Sequence, residues 1–251
     1  MVRTSTTEAV VLRKIRIGEI HKALTLFSPE NGLLSAIAHG AFKMKSKLRT
    51  ASEPFHVIRV YLYHNPVSDQ YKITDIESLN ALDGIRRSVE RYYAASLWAE
   101  VIIKSYGGGE SFGVPYRLLV DSLSLLEHAQ QRCITNLTCQ YLMRFLDILG
   151  QRPDFEHCGI CASGFDTQSG VYLSREERVL VCHRCAKPSA MYLPAGARRY
   201  LGSTLKMPLE VAVRIGLEDR SLQAVKEAAY FLVQATLETN LNALKSGVGI
   251  L

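Results

Sequence analysis

The sequence predicts a multidomain α+β protein: a small β-barrel, then a helical domain that a four-cysteine segment interrupts. Short apolar runs separated by turn residues fill residues 1–80, and the apolar period becomes helical in residues 81–153. Two Cys-x-x-Cys pairs then lie within residues 154–190, and helical periodicity returns in residues 191–251. We therefore expect one barrel, one helical domain in two pieces, and one metal-binding insert.

Five strands are predicted in the N-terminal part, and the turn Ser28-Pro29-Glu30-Asn31-Gly32 separates the second from the third. In order, they are residues 10–17, 20–28, 33–39, 57–63 and 70–76. Five short strands in a cationic segment fit a small barrel of the OB type, and an SH3-like barrel fits the pattern almost as well.

The fourth predicted strand alternates between an apolar and a polar face, and its polar face carries Arg59, Tyr61 and Tyr63. Aromatic side chains beside a cation form the stacking platforms of proteins that bind single strands. The alternative is a face covered by a loop or by the next domain, because aromatic residues are common in strands for packing reasons alone.

The positive charge of the chain is concentrated in its first fifty residues. They contain nine Lys or Arg and three acids, a surplus of six that equals the formal charge of the whole chain, +6. Within residues 40–49 the cations alternate: Lys43, Lys45, Lys47 and Arg49. An extended segment places alternate side chains on one side, so we expect a basic loop that faces a phosphate backbone. The alternative is a solvated surface loop.

Three helices are predicted before the cysteine segment, over about residues 89–103, from Pro115, and over about 136–149. A last helix, with Ser221 as its N-cap and with Leu241 and Leu244 continuing its apolar stripe, is expected to return to the same helical domain.

The two cysteine pairs have the spacing of a zinc site. Cys158 and Cys161 are separated by twenty residues from Cys182 and Cys185. Four thiolates close a tetrahedral coordination sphere and leave no position for water, so the Zn²⁺ is expected to be structural. A redox dithiol is the alternative, but the βαβ surroundings of such motifs are missing. The neighbouring His157 and His183 are alternative ligands that could replace a cysteine, but we expect them to lie outside the ligand set.

Other classes of protein find little support in the sequence. It contains no Walker-type loop, no H-E-x-x-H and no G-x-S-x-G, so we expect no enzyme activity. No apolar run approaches the length of a membrane span or a secretory signal, so we expect a cytoplasmic protein with reduced thiols.

Several segments, in order along the chain, resemble the bacterial RecO family of DNA repair proteins. The N-terminal matches are Leu24-Thr25-Leu26-Phe27-Ser28-Pro29-Glu30-Asn31-Gly32 and His39-Gly40-Ala41-Phe42-Lys43. Leu146-Asp147-Ile148-Leu149-Gly150, followed by Cys158-x-x-Cys161, resembles the helix that leads into that family's zinc segment. One departure is that residues 176–181 lack the glycine pair that usually precedes the second cysteine pair.

The resemblance implies a recombination mediator and not an enzyme. Such a protein binds single- and double-stranded DNA, anneals complementary strands, and with the partner RecR helps load the recombinase RecA onto DNA coated with single-strand-binding protein (SSB). The resemblance further implies that the SSB C-terminal tail docks on the helical domain, where Arg132, Arg198 and Arg199 are candidate receptors. An RNA-binding or ribosome-associated zinc-ribbon protein is the alternative.

Because annealing brings two polyanions together, we expect the N-terminal cations to contact phosphates without reading sequence. The predicted DNA-binding residues are Arg13, Lys14, Arg16, Lys22, Lys43, Lys45, Lys47, Arg49, Arg59, Tyr61 and Tyr63.

Overall fold

The computed structural model describes residues 3–43, 46–109 and 111–246. The chain divides into two compact units, residues 1–129 with 241–251 and residues 130–240. The division at residues 81, 154 and 191 remains a sequence-based prediction.

A closed five-stranded barrel forms the centre of the first unit. Its strands are β1 (Thr4–Ile17), β2 (His21–Ser28), β3 (Gly32–Ala38), β4 (Val57–Asn65) and β5 (Gln70–Asn80). Neighbours around the barrel follow the order β1-β2-β3-β5-β4, and β3 and β5 form the one parallel pair between described strands of this barrel. Closure in this order confirms the predicted OB-type barrel.

The first strand is longer than predicted because its polar beginning also pairs. Thr4 lies opposite Tyr63 on β4, whereas the far end of β1 pairs with β2 as far as Ile17 opposite His21. The pairing with β4 ends at Val10, and just beyond it a register shift between Val11 and Arg13 interrupts the pairing with β2. Such an irregularity bends the strand and lets it serve both neighbours as the barrel closes.

The barrel interior is filled by alternate residues of its strands. Ile58, Val60 and Leu62 point inward, at 1% exposure or less, so the predicted alternation of the fourth strand is confirmed. The same core contains Ala9, Val11, Leu24, Leu26, Ala36, Ala38, Ile73 and Ile76.

Short and long helices complete the first unit: α1 (Leu48–Ala51), α2 (Asp83–Arg86), α3 (Val89–Lys104), α4 (Gly113–His128) and α9 (Asn242–Ser246). Ser88 caps α3 by accepting a hydrogen bond from the Arg91 N–H. Outside the barrel, the Phe27 ring packs against Phe112 and Tyr116, with centroid distances of 6.4 and 6.0 Å.

The second unit combines helices with a small sheet: α5 (Gln131–Ile148), α6 (Ala195–Thr204), α7 (Leu209–Ala212) and α8 (Asp219–Thr236), and strands β6 (Val171–Leu173), β7 (Leu180–Val181) and β8 (Met191–Leu193). The strand order is β7-β6-β8. Helix α5 precedes the cysteine segment and α8 follows it, and the two pack on each other. The cysteine segment therefore interrupts a helical domain, as predicted.

Two predictions about the last helix are wrong. Ser221 is not its N-cap, because α8 begins two residues earlier, after Glu218, and buries Ser221 within its first turn. Leu241 and Leu244 do not continue its stripe, because α8 ends at Thr236 and a separate short helix follows. None of the described helices combines the length and apolar character that a membrane span requires.

Candidate nucleic-acid interface and metal centre

The basic segment is folded into turns, so the prediction of an extended loop is wrong. The Lys43 N–H donates to Gly40 O (3.0 Å), the Ser46 N–H to Lys43 O (3.0 Å), and the Arg49 N–H to Ser46 O (3.1 Å). Helix α1 begins immediately after Lys47. Alternate side chains are not aligned on one side of such a chain. Lys43, Lys47 and Arg49 are nevertheless all exposed, and Lys45 lies outside the described residues.

Lys22 is buried and holds the basic segment in place, so the prediction that it contacts phosphate is wrong. Its Nζ donates to Arg49 O (3.0 Å), Ser52 Oγ (2.8 Å) and Glu53 Oε1 (3.0 Å), and the residue is 0% exposed. A buried ammonium is tolerated only when it is paired and hydrogen-bonded, and these acceptors provide both. Lys22 therefore fixes the backbone that carries the exposed cation Arg49.

The Phe42 ring and Glu53 attach the same segment to the end of the barrel. Two cations, Arg16 and Lys22, lie 5.1 and 4.9 Å from the centroid of the Phe42 ring. Glu53 pairs with both Lys14 and Lys22. Partial burial opposes ionisation of Glu53, but the hydrogen bonds from the two lysines prevail and lower its pKa. The basic segment is thus positioned before any ligand arrives.

The exposed end of β1 lies next to this anchored segment. Arg16 donates to the backbone oxygens of Gly18 (3.1 Å) and Glu19 (3.0 Å), and Lys14 pairs with Glu53. Arg13 is exposed and has no ion pair with the described residues. The cations of this surface, which we call the basic face, are Arg13, Lys14, Arg16, Lys43, Lys47 and Arg49.

The predicted stacking platform on β4 has acidic neighbours. Arg59 pairs with Glu8 (3.3 Å) and Glu77 (3.4 Å), and the Tyr61 hydroxyl donates to Glu77 (2.7 Å). That hydrogen bond raises the pKa of Tyr61. Since the charge of Arg59 is shared between two carboxylates, this face attracts a phosphate backbone less than the basic face does. The roles of Arg59, Tyr61 and Tyr63 in DNA binding remain predictions.

Sequence reasoning missed a histidine pair beside the basic face. A shallow cavity of about 430 Å³ is lined by Ile20, His21, His39, Gly40, Lys43 and Ser46. The Gly40 N–H donates to His21 Nδ1 (3.0 Å), and the two imidazole centroids are 4.8 Å apart. Partial desolvation lowers the pKa of His39, and His21 and Lys72 lower it further. The two histidines are distant in sequence, and only pairing of β2 with β3 brings them together.

The four predicted metal ligands meet in one cluster. The Sγ atoms of Cys158, Cys161, Cys182 and Cys185 all lie within 4.8 Å of one another. The distance from Cys161 Sγ to Cys182 Sγ is 3.8 Å, which equals the edge of a tetrahedron with metal–sulfur bonds of about 2.3 Å. The residues present therefore fit a tetrahedral metal ion.

Each cysteine pair lies in a tight turn that the backbone closes. The Ala162 N–H donates to Cys158 O (2.9 Å), and the Cys185 N–H donates to Cys182 O (3.0 Å). The Cys182 N–H also approaches Cys158 Sγ (3.4 Å), a bond that stabilises a thiolate. A side chain at Gly159 would collide with Val179, so only glycine lets the first cysteine turn lie this close to the residue that precedes β7.

Neighbouring groups shift the pKa values of two of the thiols in opposite directions. Hydrogen bonds from Ser163 lower the pKa of Cys161 to about 6, so this residue provides a thiolate at neutral pH. The neighbouring Cys161 and Cys182 raise the pKa of Cys185 to about 12. A divalent cation at the centre would remove this conflict by binding all four as thiolates.

The other groups near the cluster are engaged elsewhere. His157 Nδ1 lies 3.2 Å from Asp154 Oδ2, and the His183 ring contacts Tyr172.

The turn between β6 and β7 has no glycine at its left-handed position. Arg178 occupies that position with φ +60°. Cys139, which lies outside the cluster on α5, is fully buried, and burial raises its pKa to about 12.

Of the three arginines predicted to receive an acidic peptide, Arg198 has a structural role. It is 6% exposed and donates to Phe155 O (2.9 Å) and Asp166 O (2.6 Å). These bonds hold the cysteine segment against α6, so the guanidinium is not presented to a partner. Arg132 and Arg199 are exposed.

Two family models match the chain, one for each half. Residues 1–82 match "Recombination protein O N terminal", and residues 86–245 match "Recombination protein O C terminal". The chain belongs to the RecO family. The barrel, the helical domain and the cysteine cluster occupy the parts that these models cover, and membership favours a role in DNA repair and recombination over the RNA-binding alternative.

Curated RecO proteins match over most of their length. DNA repair protein RecO of Rubrobacter xylanophilus is 27% identical over 228 residues, which cover 88% of each chain. The RecO protein of Pelotomaculum thermopropionicum is 30% identical over 84% of this chain and 79% of its own. That of Synechocystis is 32% identical over 71% of this chain and 65% of its own.

Proposed function

We propose that this RecO-family chain is a recombination mediator whose basic face binds the phosphates of single- and double-stranded DNA. The observation that carries the proposal is the anchoring of exposed cations at one end of the barrel. Lys22, Phe42 and Glu53 fix the segment that bears Lys43, Lys47 and Arg49. Because the backbone that carries these cations is already fixed, only their side chains lose conformational freedom on binding, so more of their attraction for phosphate appears as affinity.

The proposed activity is strand annealing, followed with RecR by loading of RecA onto DNA coated with SSB. A cationic surface that contacts two strands lowers their mutual repulsion, and this requires no covalent step. In this proposal, the four cysteines bind one structural Zn²⁺ that supports the second unit, and the exposed Arg132 and Arg199 are candidate receptors for the SSB C-terminal tail.

The test is annealing of two complementary oligonucleotides that are already coated with SSB. The variant Lys43→Glu/Lys47→Glu/Arg49→Glu should anneal them far more slowly than the unmodified protein. The control Arg117→Glu/Arg214→Glu/Arg220→Glu makes the same change in net charge at exposed positions in helices or directly after one. Failure of the unmodified protein to anneal, or equal loss in both variants, would count against the proposal.

A further inference from the structure

A cleft in the first unit runs between the barrel and α3, beside one edge of the basic face. Its volume is about 690 Å³. The walls come from β1, from the segment before β4, and from the face of α3 that carries Tyr92, Ser96, Ala99 and Ile103. Arg13 and Lys14 of the basic face line the same cleft, so its cationic rim is continuous with that surface.

An exposed aromatic ring at the mouth of the cleft occupies a position that favours glycine. Helix α3 ends with paired hydrogen bonds, from the Tyr106 N–H to Ile103 O (3.3 Å) and from the Gly107 N–H to Ile102 O (2.9 Å). In this type of helix ending, the position that Tyr106 occupies has a left-handed backbone conformation and usually carries glycine. Tyr106 has φ +53°, and it is 84% exposed. Neither packing nor backbone geometry therefore explains why this position carries an aromatic side chain.

A second strained aromatic residue supports the wall of the cleft. Phe55 has φ +71° and donates its N–H to Val11 O (2.7 Å). Its buried ring meets Tyr92 edge-to-face, with centroids 5.3 Å apart, and leaves Tyr92 41% exposed. Two of the described non-glycine residues with positive φ, Tyr106 and Phe55, thus place aromatic rings at the same cleft. Backbone strain of this kind is concentrated at functional sites.

The charge around the cleft is positive. Arg13 and Lys104 are exposed, and neither forms an ion pair within the described part of the chain. The carboxylate in the wall, Glu100, already accepts hydrogen bonds from the N–H groups of Asn242 (2.9 Å) and Ala243 (2.8 Å). A groove with cations along its rim and exposed aromatic rings at its mouth is the arrangement that binds unpaired nucleic acid.

We propose that this cleft binds unpaired nucleotides of a single strand, with a base stacked on Tyr106 and phosphates near Arg13 and Lys104. The inference rests on the proposed DNA-binding function and adds a site for single strands to it. A flat ring that is exposed on its outer side suits the face of a base better than an aliphatic side chain, which needs enclosure. The site would let the protein distinguish an unpaired strand from a duplex, whose bases are already stacked.

The decisive variant is Tyr106→Gly, because glycine suits the backbone there. The unfolding midpoint should be unchanged or higher. Affinity for a fluorescein-labelled oligo(dT) should fall about tenfold, a loss within the range for one base stacked on an aromatic ring. Affinity for an abasic oligonucleotide of the same length should not change, because it offers phosphates without bases. Tyr192→Ala, at a half-exposed tyrosine of β8, is the matched control and should bind both as the unmodified protein does.

A second variant reports on stacking directly. Tyr106→Trp should retain affinity, and its fluorescence should be quenched by oligo(dT) and not by the abasic strand. The single native tryptophan, Trp98, is fully buried and contributes a constant background.

The outcomes separate this inference from the proposed function. If the basic-face variant loses oligo(dT) binding while Tyr106→Gly keeps it, the proposed function stands and the cleft inference is wrong. If the unmodified protein binds neither oligonucleotide, both are wrong. If Tyr106→Gly keeps oligo(dT) binding but loses binding of a synthetic Asp- and Phe-rich peptide, the cleft belongs to a protein partner and the inference is again overturned.

Discussion

Neutralising three cations of the basic face should change the salt dependence of DNA binding by a calculable amount. The face has six exposed cations among the described residues. If each neutralises one phosphate of a single strand, log K falls with log salt at a slope of about −4.2. The variant Lys43→Gln/Lys47→Gln/Arg49→Gln retains three contacts and should show a slope of about −2.1.

The same relation gives the change in affinity. At a salt concentration of about 0.1 M, loss of three contacts weakens binding about 100-fold, and the difference disappears as salt approaches about 1 M. Fluorescence anisotropy with labelled oligo(dT), titrated from about 50 mM to about 500 mM salt, measures both quantities. The control Arg117→Gln/Arg214→Gln/Arg220→Gln removes as many exposed charges from positions in helices or directly after one.

Parallel salt lines for the basic-face variant and the unmodified protein would refute this reasoning. They would show that Lys43, Lys47 and Arg49 lie too far from the strand to release counterions. A steeper change in the control than in the basic-face variant would place the DNA on the helices instead.

Three further outcomes follow from the anchoring contacts and the metal cluster. Lys22→Met should destabilise the first unit by about 3 kcal/mol, because the acceptors of a buried ammonium lose their donor; urea unfolding measures the loss. The same variant should weaken DNA binding although it removes no exposed charge. Unchanged binding would refute the anchoring role of Lys22. Glu53→Gln should lower stability at neutral pH, because a lowered native pKa adds stability while the carboxylate is ionised. The gap to the unmodified protein should start to shrink below about pH 4.5 and close below the lowered native pKa of Glu53; a gap that persists in strong acid would contradict this. Elemental analysis should find one zinc per chain, and Cys185→Ser or a chelator should remove it. Loss of the metal should speed amide hydrogen exchange in residues 154–190 and leave exchange in the barrel unchanged. Metal-free protein whose residues 154–190 remain fully protected from exchange would exclude a structural metal.

Lys22 and Glu53 show why a charge run could not be interpreted from sequence alone. Both are ordinary surface residue types, and nothing in their local sequence indicates that they meet. The barrel brings β2 next to the segment before β4, and burial then turns Lys22 from a candidate DNA contact into a structural group. Exposed and buried lysines have the same sequence signal, because the difference depends on residues about thirty positions away.

Tyr106 illustrates the opposite case, in which no periodic pattern marks a residue. It follows an amphipathic helix and precedes three glycines, so its sequence surroundings indicate only a helix end. Its conformation and its exposure together are what distinguish it, and both are properties of the folded backbone.

By itself, the sequence determined the elements of this protein whose signals are local. The alternation of Ile58, Val60 and Leu62, the spacing of the cysteine pairs and the helical periods each reflect geometry within a few residues, and the structure confirms them. Only the tertiary structure decided which cations are available and that a cationic cleft lies beside α3. Those properties depend on contacts between residues far apart in the chain. No periodic pattern in the local sequence indicates whether a side chain is buried, ion-paired or strained.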